Sequence, residues 1–143
     1  MVREYVPEPT YKISFLYRKI LVPIDGSENS LRALDLAIDL AERYGSKVTV
    51  IHVRFKGISE VEDPLSKAKE RVSGYGVPVE FKLIEVDPNE GSVPKAIIDE
   101  VINGGYDMVI MGARGRTISE ELNLGSVALS VVANVPTTVI IVR

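Results

Sequence analysis

The chain has 143 residues, a formal net charge of −3 and no cysteine. One domain of that size buries about 68 to 70% of its unfolded surface, and the lack of thiols excludes disulfides, thiolate metal sites, cysteine nucleophiles and thiol redox chemistry. The acidic balance and scattered basic residues, with no interleaved aromatics, argue against a nucleic-acid partner. No apolar run approaches the roughly 20 residues of a membrane span, and nothing at the amino terminus resembles a secretion signal, so a cytoplasmic protein is expected.

Residues 1–17 carry two prolines and mixed polarity and form an expected arm, set apart from a domain over 18–143. Within the arm Tyr11, Ile13, Phe15 and Tyr17 alternate with Lys12, Ser14, Leu16 and Arg18, which fits either an edge or exchanged strand or a loosely packed arm. The first strand is expected over Lys19 to Ile24. Leu31, Leu34, Ala37, Ile38 and Ala41 then recur at helical spacing, and Gly45 is placed to end that helix. Lys47 to Val53 reads as a central strand. Asp63-Pro64 offers an N-cap and first-turn proline for a helix reaching Ser73.

Val77 to Val86 alternates as an edge strand does, and Gly91-Ser92-Val93-Pro94 opens a helix to about Ile102, closed by Gly104-Gly105. Asp107 to Met111 and Thr137 to Val142 are the last two strands, separated by a glycine-bearing loop and a helix from Ser126 to about Ala133. Five strands alternating with helices imply an α/β domain: a parallel sheet with helices on both faces. Such sheets bind ligands beyond their carboxyl ends, where strand order reverses. For order 3-2-1-4-5, Asp25 and Gly112 face each other across that crevice.

Gly112-Ala113-Arg114-Gly115, followed after nine residues by Gly125-Ser126, reads as a phosphate cradle. Gly112 and Gly115 can take positive φ and bring backbone close to an anion. The amides at the helix start near Gly125 and Ser126 point outward unpaired, with Arg114 or Arg116 able to close over the ligand. The alternative is that the glycines only make turns, and Glu120-Glu121 in the same loop would repel phosphate if they faced the crevice. After Pro23, Asp25 can accept hydrogen bonds from a ribose hydroxyl or base amine, help hold a divalent ion through water, or simply cap the first helix, a role Ser27 suits better.

His52, the only histidine, is expected to be structural. Without a second imidazole or a Gly-x-Ser-x-Gly elbow, metal and triad chemistry are poor bets. The lysine-bearing loop of efficient nucleotide hydrolases is also missing.

The run Tyr17 to Ser30, the spacing Gly112-x2-Gly115-x9-Gly125-Ser126, and the closing Val135 to Val142 resemble the universal stress protein family. The resemblance implies a Rossmann-like domain of the adenine nucleotide alpha hydrolase type, with order 3-2-1-4-5. It also implies a homodimer paired through the last strands and, since the glycine motif is present, the ATP-binding branch. Carried over by position, Asp25 and the Val53 backbone meet the adenosine, and Gly112 the ribose, with Pro23 also counted among the nucleotide-binding residues. Gly115, Gly125, Ser126 and Val127 hold phosphates, with Arg114 beside them. The ligand implied is ATP, or ADP or AMP, with Mg2+ held through the phosphates. The expected function is a nucleotide-dependent switch in stress response or signalling. Its alternatives are a slow metal-dependent ATP hydrolase using Asp25, or a nucleotide-free dimeric interaction module.

Overall fold

The computed structural model describes residues 16–114 and 124–143. The chain runs β1 (Lys19–Pro23), α1 (Glu28–Tyr44), β2 (Lys47–Phe55), α2 (Pro64–Val72), β3 (Val79–Val86), α3 (Val93–Gly104), β4 (Met108–Gly112), α4 (Ser126–Asn134) and β5 (Thr138–Val142). All sheet pairings are parallel and the order is β3-β2-β1-β4-β5, as the alternation of elements predicts. The proposed strand within residues 1–15 lies outside the described residues. Tyr17 is described, and its ring packs against Tyr44 at 5.2 Å between centroids.

Strand periodicity divides the core into two layers. Ile20, Val22, Val48 and Val50 point to one face, where α1 and α2 cover them through Leu34, Ile38, Leu65 and Ala68. Leu21, Ile51, Val53 and Val109 point to the other, under α3 and α4 through Ile97, Val101, Ala128 and Val131. Ile20, Leu21, Ile51 and Ile110 are fully buried, and each such side chain contributes about 1.5 to 3 kcal/mol of transfer free energy.

The helix ends follow from local chemistry. Ser27 accepts from the Ser30 amide to cap α1, Asp63 caps α2 ahead of its first-turn proline, and Ser92 accepts from the Lys95 amide to cap α3. Gly45 and Gly105 end α1 and α3 in the left-handed conformation, which costs glycine nothing sterically. β2 continues to Phe55, two residues past its expected end, because β3 supplies partners as far as Val86. β3 starts at Val79, since Pro78 has no amide to give the ladder.

Candidate functional site

The reversal of strand order falls between β1 and β4. A cavity of about 300 Å³ opens beyond their carboxyl ends, at the small end of the usual range for ligand pockets. β1 delivers Pro23, Ile24 and Asp25, β2 delivers Val53, and the end of β4 delivers Gly112, Ala113 and Arg114; Gly125, Ser126 and Val127 come from the start of α4. Val93 and Ile97 of α3 form an apolar wall. Each of Pro23, Asp25, Val53, Gly112, Arg114, Gly125, Ser126 and Val127, all expected at a site from the sequence, therefore lines the same cavity. Gly115, Arg116 and the Glu120-Glu121 pair lie outside the described residues.

The two ends of the cavity differ electrostatically. At one, α4 begins at Gly125, which has no side chain to cap it, so the first amides and the helix dipole present about half a positive charge. The Gly125 amide itself donates to the Ala113 carbonyl at 2.6 Å, pinning the helix start to the end of β4. At the other end Asp25 Oδ1 accepts from the Ser27 amide at 2.9 Å, and the Asp25 amide lies 3.4 Å from Ser30 Oγ. Asp25 thus braces the turn into α1 while lining the cavity.

The conformational reason for Gly112 is corrected by the structure. Gly112 is not among the glycines with positive φ; it is the last residue of β4, and its missing side chain makes room for α1. A Cβ there would stand 2.6 Å from Asn29 Oδ1 and 3.1 Å from the Asn29 backbone carbon. Asn29 uses that proximity. Its Nδ2 donates to the Val142 carbonyl at 3.0 Å and its Oδ1 accepts from the Arg114 amide at 3.0 Å. The same Val142 carbonyl accepts from the Ala113 amide at 2.7 Å. Asn29 therefore fastens the rim of the cavity to β5, a role that its position in the sequence does not signal. Val93 and Ile97 were also unassigned from sequence, although their i, i+4 spacing places them on one helix face.

A second, more open groove of about 570 Å³ adjoins the first and shares Asp25, Val53 and Val93 with it. Its far side is the segment after β2, including Ile58, Glu60 and Val61. His52 is buried there, between the Ile24 carbonyl and Glu60, which agrees with a structural role. Among the described residues no cluster of histidine, aspartate and glutamate could hold a metal ion, and no helix is long and apolar enough to cross a membrane.

Sheet order and cavity together define a doubly wound parallel α/β domain with a crevice at the switch point. Residues 16–143 match the model of the universal stress protein family, and the chain belongs to that family. A universal stress protein of Methanocaldococcus jannaschii is 31% identical over 147 residues, covering 90% of this chain and 83% of that one. The structure of a universal stress protein from Archaeoglobus fulgidus superposes with a TM-score of 0.73 at 27% identity, covering 89% of this chain and 99% of that one. A universal stress protein in complex with cAMP superposes at 0.71 with 26% identity, over 89% and 97% of the two chains.

Proposed function

We propose that this protein binds an adenine nucleotide, ATP foremost with ADP or AMP as alternatives, and uses it as a conformational or partner switch in the response to stress. The observation that carries the reading is the convergence of the Asp25 turn, the Gly112 strand end and the uncapped α4 start on one cavity. An anion fits the α4 end, where orphan amides and a serine hydroxyl are available. A nucleoside fits the other, with Asp25 for ribose or base and the Val53 backbone beside it. The complex of a relative with cAMP supports the same class of ligand here.

In this reading Gly112 lies against the ribose, Ser126 and Val127 donate to phosphate, Gly125, whose own amide is taken by the Ala113 carbonyl, lets the phosphate approach the helix start, and Arg114 adds charge at the rim. When bound, Mg2+ neutralises phosphate charge and is held through the phosphates. Asp25 is the only carboxylate among the described residues that line the cavity, and it already accepts from the Ser27 amide. With no poised general base among the described residues that line the cavity, hydrolysis in this reading is at most slow. The assembly in this reading is a cytoplasmic homodimer. β5 is an edge strand of half-buried Val139, Ile140, Ile141 and Val142, and a two-fold pairing satisfies such an edge.

The test is to denature freshly purified protein, filter it and identify any released small molecule by absorbance and mass. The purified protein is then titrated with ATP and magnesium in a thermal-shift assay. Saturation at a hundred times the dissociation constant stabilises the fold by about 2.7 kcal/mol. Asp25→Ala and Ser126→Ala are expected to weaken binding at least several-fold without loss of fold. Absence of released nucleotide together with no shift at millimolar ATP refutes the proposal.

A further inference from the structure

Arg54 follows Val53, which lines the cavity, and precedes Phe55, the last residue of β2. A guanidinium carries five donors in a rigid fork, and an arginine with a structural role has them taken. Arg71 is such a case, donating to Asp35 through Nε at 2.9 Å and Nη2 at 2.7 Å, and to Glu28 through Nη2 at 3.0 Å. Arg54 differs. Its Nε is buried with no hydrogen-bond partner among the described residues, and its Nη1 approaches Glu60 Oε1 only to 3.8 Å, beyond hydrogen-bond reach. The side chain is 32% exposed and lines the groove of about 570 Å³ that adjoins the cavity. A guanidinium held so loosely at a groove wall is placed to turn toward an incoming acceptor.

Building on the nucleotide reading, we infer that Arg54 is a specificity-determining residue, donating to a ring nitrogen of the purine, whose place is this groove. The cavity and the groove share Asp25, Val53 and Val93. A ligand with its phosphates at the start of α4 therefore passes Asp25 and enters the groove with its base. The cavity alone, at about 300 Å³, is at the small end of the range for ligands, which leaves the base to the groove. Apolar side chains are ready for the faces of a planar ring. Ile58, 53% exposed, and Val61, fully exposed, line the groove together with Val93, and a base lying on them covers apolar surface that is otherwise wet.

The charges of the groove select an uncharged acceptor. Asp25, Glu60 and Glu62 line it against Arg54 and Lys67, and Lys67 is engaged by Glu62 and the Gly26 carbonyl. A phosphate or carboxylate placed here meets more carboxylates than cations, and like charges brought together are repelled. A purine ring nitrogen accepts without bringing charge, and adenine adds an amine that an acidic wall can take. Enzymes that draw a base out of a duplex read it in the same way, by hydrogen bonds along its edge and apolar contact over its faces.

The full chain and its Arg54→Met variant, which keeps an unbranched stem and removes the donors, are titrated by calorimetry with ATP. The same titrations use ribose triphosphate, which has no base, and analogues of ATP in which carbon replaces ring nitrogen N1, N3 or N7 in turn. Arg54→Met is expected to weaken ATP by about tenfold or more, as loss of a hydrogen bond from a charged donor does, and to leave ribose triphosphate unchanged. One analogue is expected to bind the unaltered protein about tenfold more weakly than ATP but to bind Arg54→Met as ATP does, which identifies the ring nitrogen that Arg54 reads.

Thermal melting without ligand checks the fold of the variant, and Arg54→Gln, too short to reach the same atom, replaces Arg54→Met if the latter does not fold. An ATP affinity unchanged by the substitution overturns the role of Arg54. So does an equal loss for ribose triphosphate, which makes Arg54 a general counter-charge to the phosphates. The role also falls if every analogue loses as much affinity in Arg54→Met as in the unaltered protein. These three results leave the nucleotide reading standing. If the unaltered protein binds neither ATP nor ribose triphosphate, the nucleotide reading itself fails and the role of Arg54 goes with it.

Discussion

Replacing Gly112 by alanine tests whether the close approach of α1 to the end of β4 is real. The new Cβ would meet Asn29 Oδ1 at 2.6 Å, Asn29 Cγ at 3.0 Å and the Asn29 backbone carbon at 3.1 Å. The side chain can rotate away, but only by releasing the Val142 carbonyl and the Arg114 amide. Val142 keeps its bond from Ala113, so the main loss is the Arg114 amide together with one donor, about 1 to 2 kcal/mol. Displacing the α1 backbone adds overpacking strain of about 1 to 3 kcal/mol. Gly112→Ala is therefore expected to destabilise by about 2 to 4 kcal/mol, read as a lower urea midpoint at unchanged slope.

Asn29→Ala alone should cost about 1 to 2 kcal/mol. The two changes share the same hydrogen bonds, and the shorter side chain relieves the tightest contacts. The double variant should fall short of additivity by about 1 to 2 kcal/mol. Additive effects, or a Gly112→Ala protein as stable as the original, would refute the close-approach argument.

Ile140→Lys puts a charge in the middle of β5 and should shift the assembly toward monomer; light scattering at low protein concentration checks this, and an unchanged mass contradicts the β5 interface. Tyr106 donates to Glu100 at 2.8 Å, and burial, then that carboxylate, pushes its phenol up from 10.0 to about 12. A raised folded value favours the protonated form, so this stabilisation is intact below about pH 10 and is lost as pH climbs through about 12. Tyr106→Phe should lose stability less steeply over that interval in alkaline denaturation. Ser92→Ala removes the cap that accepts from Lys95 and should cost about 1 kcal/mol in denaturant titration, with ATP affinity unaffected because Ser92 does not line the cavity.

The elements were legible because each carried its own local signal. α1 announced itself through Leu31, Leu34, Ala37, Ile38 and Ala41, all of which are buried, and its end through Gly45. Asp63-Pro64 marked the start of α2 and Gly105 the end of α3. The cavity residues were legible for a related reason: topology brings the ends of β1, β2 and β4 together, so residues distant in sequence could be assigned to one crevice.

What stayed hidden depends on individual polar contacts across long separations. Asn29 reaches partners 85 and 113 positions away, and no local pattern distinguishes it from a surface residue in a first helical turn. His52 was recognisable as buried and structural, but Glu60 sits eight positions on in an irregular segment, where a carboxylate normally reads as solvated. Gly112 was assigned to the site for conformational freedom, whereas the structure uses its small size.

The bond from Asn29 to the final carbonyl of β5 means that the outer edge of the sheet is mechanically continuous with its interior. The Val142 oxygen receives Asn29 and Ala113 together, so moving that strand end by a few tenths of an ångström drags both the α1 turn and the β4 rim. In the proposed dimer, an interface built on β5 would therefore sit one main-chain oxygen away from the rim of the cavity.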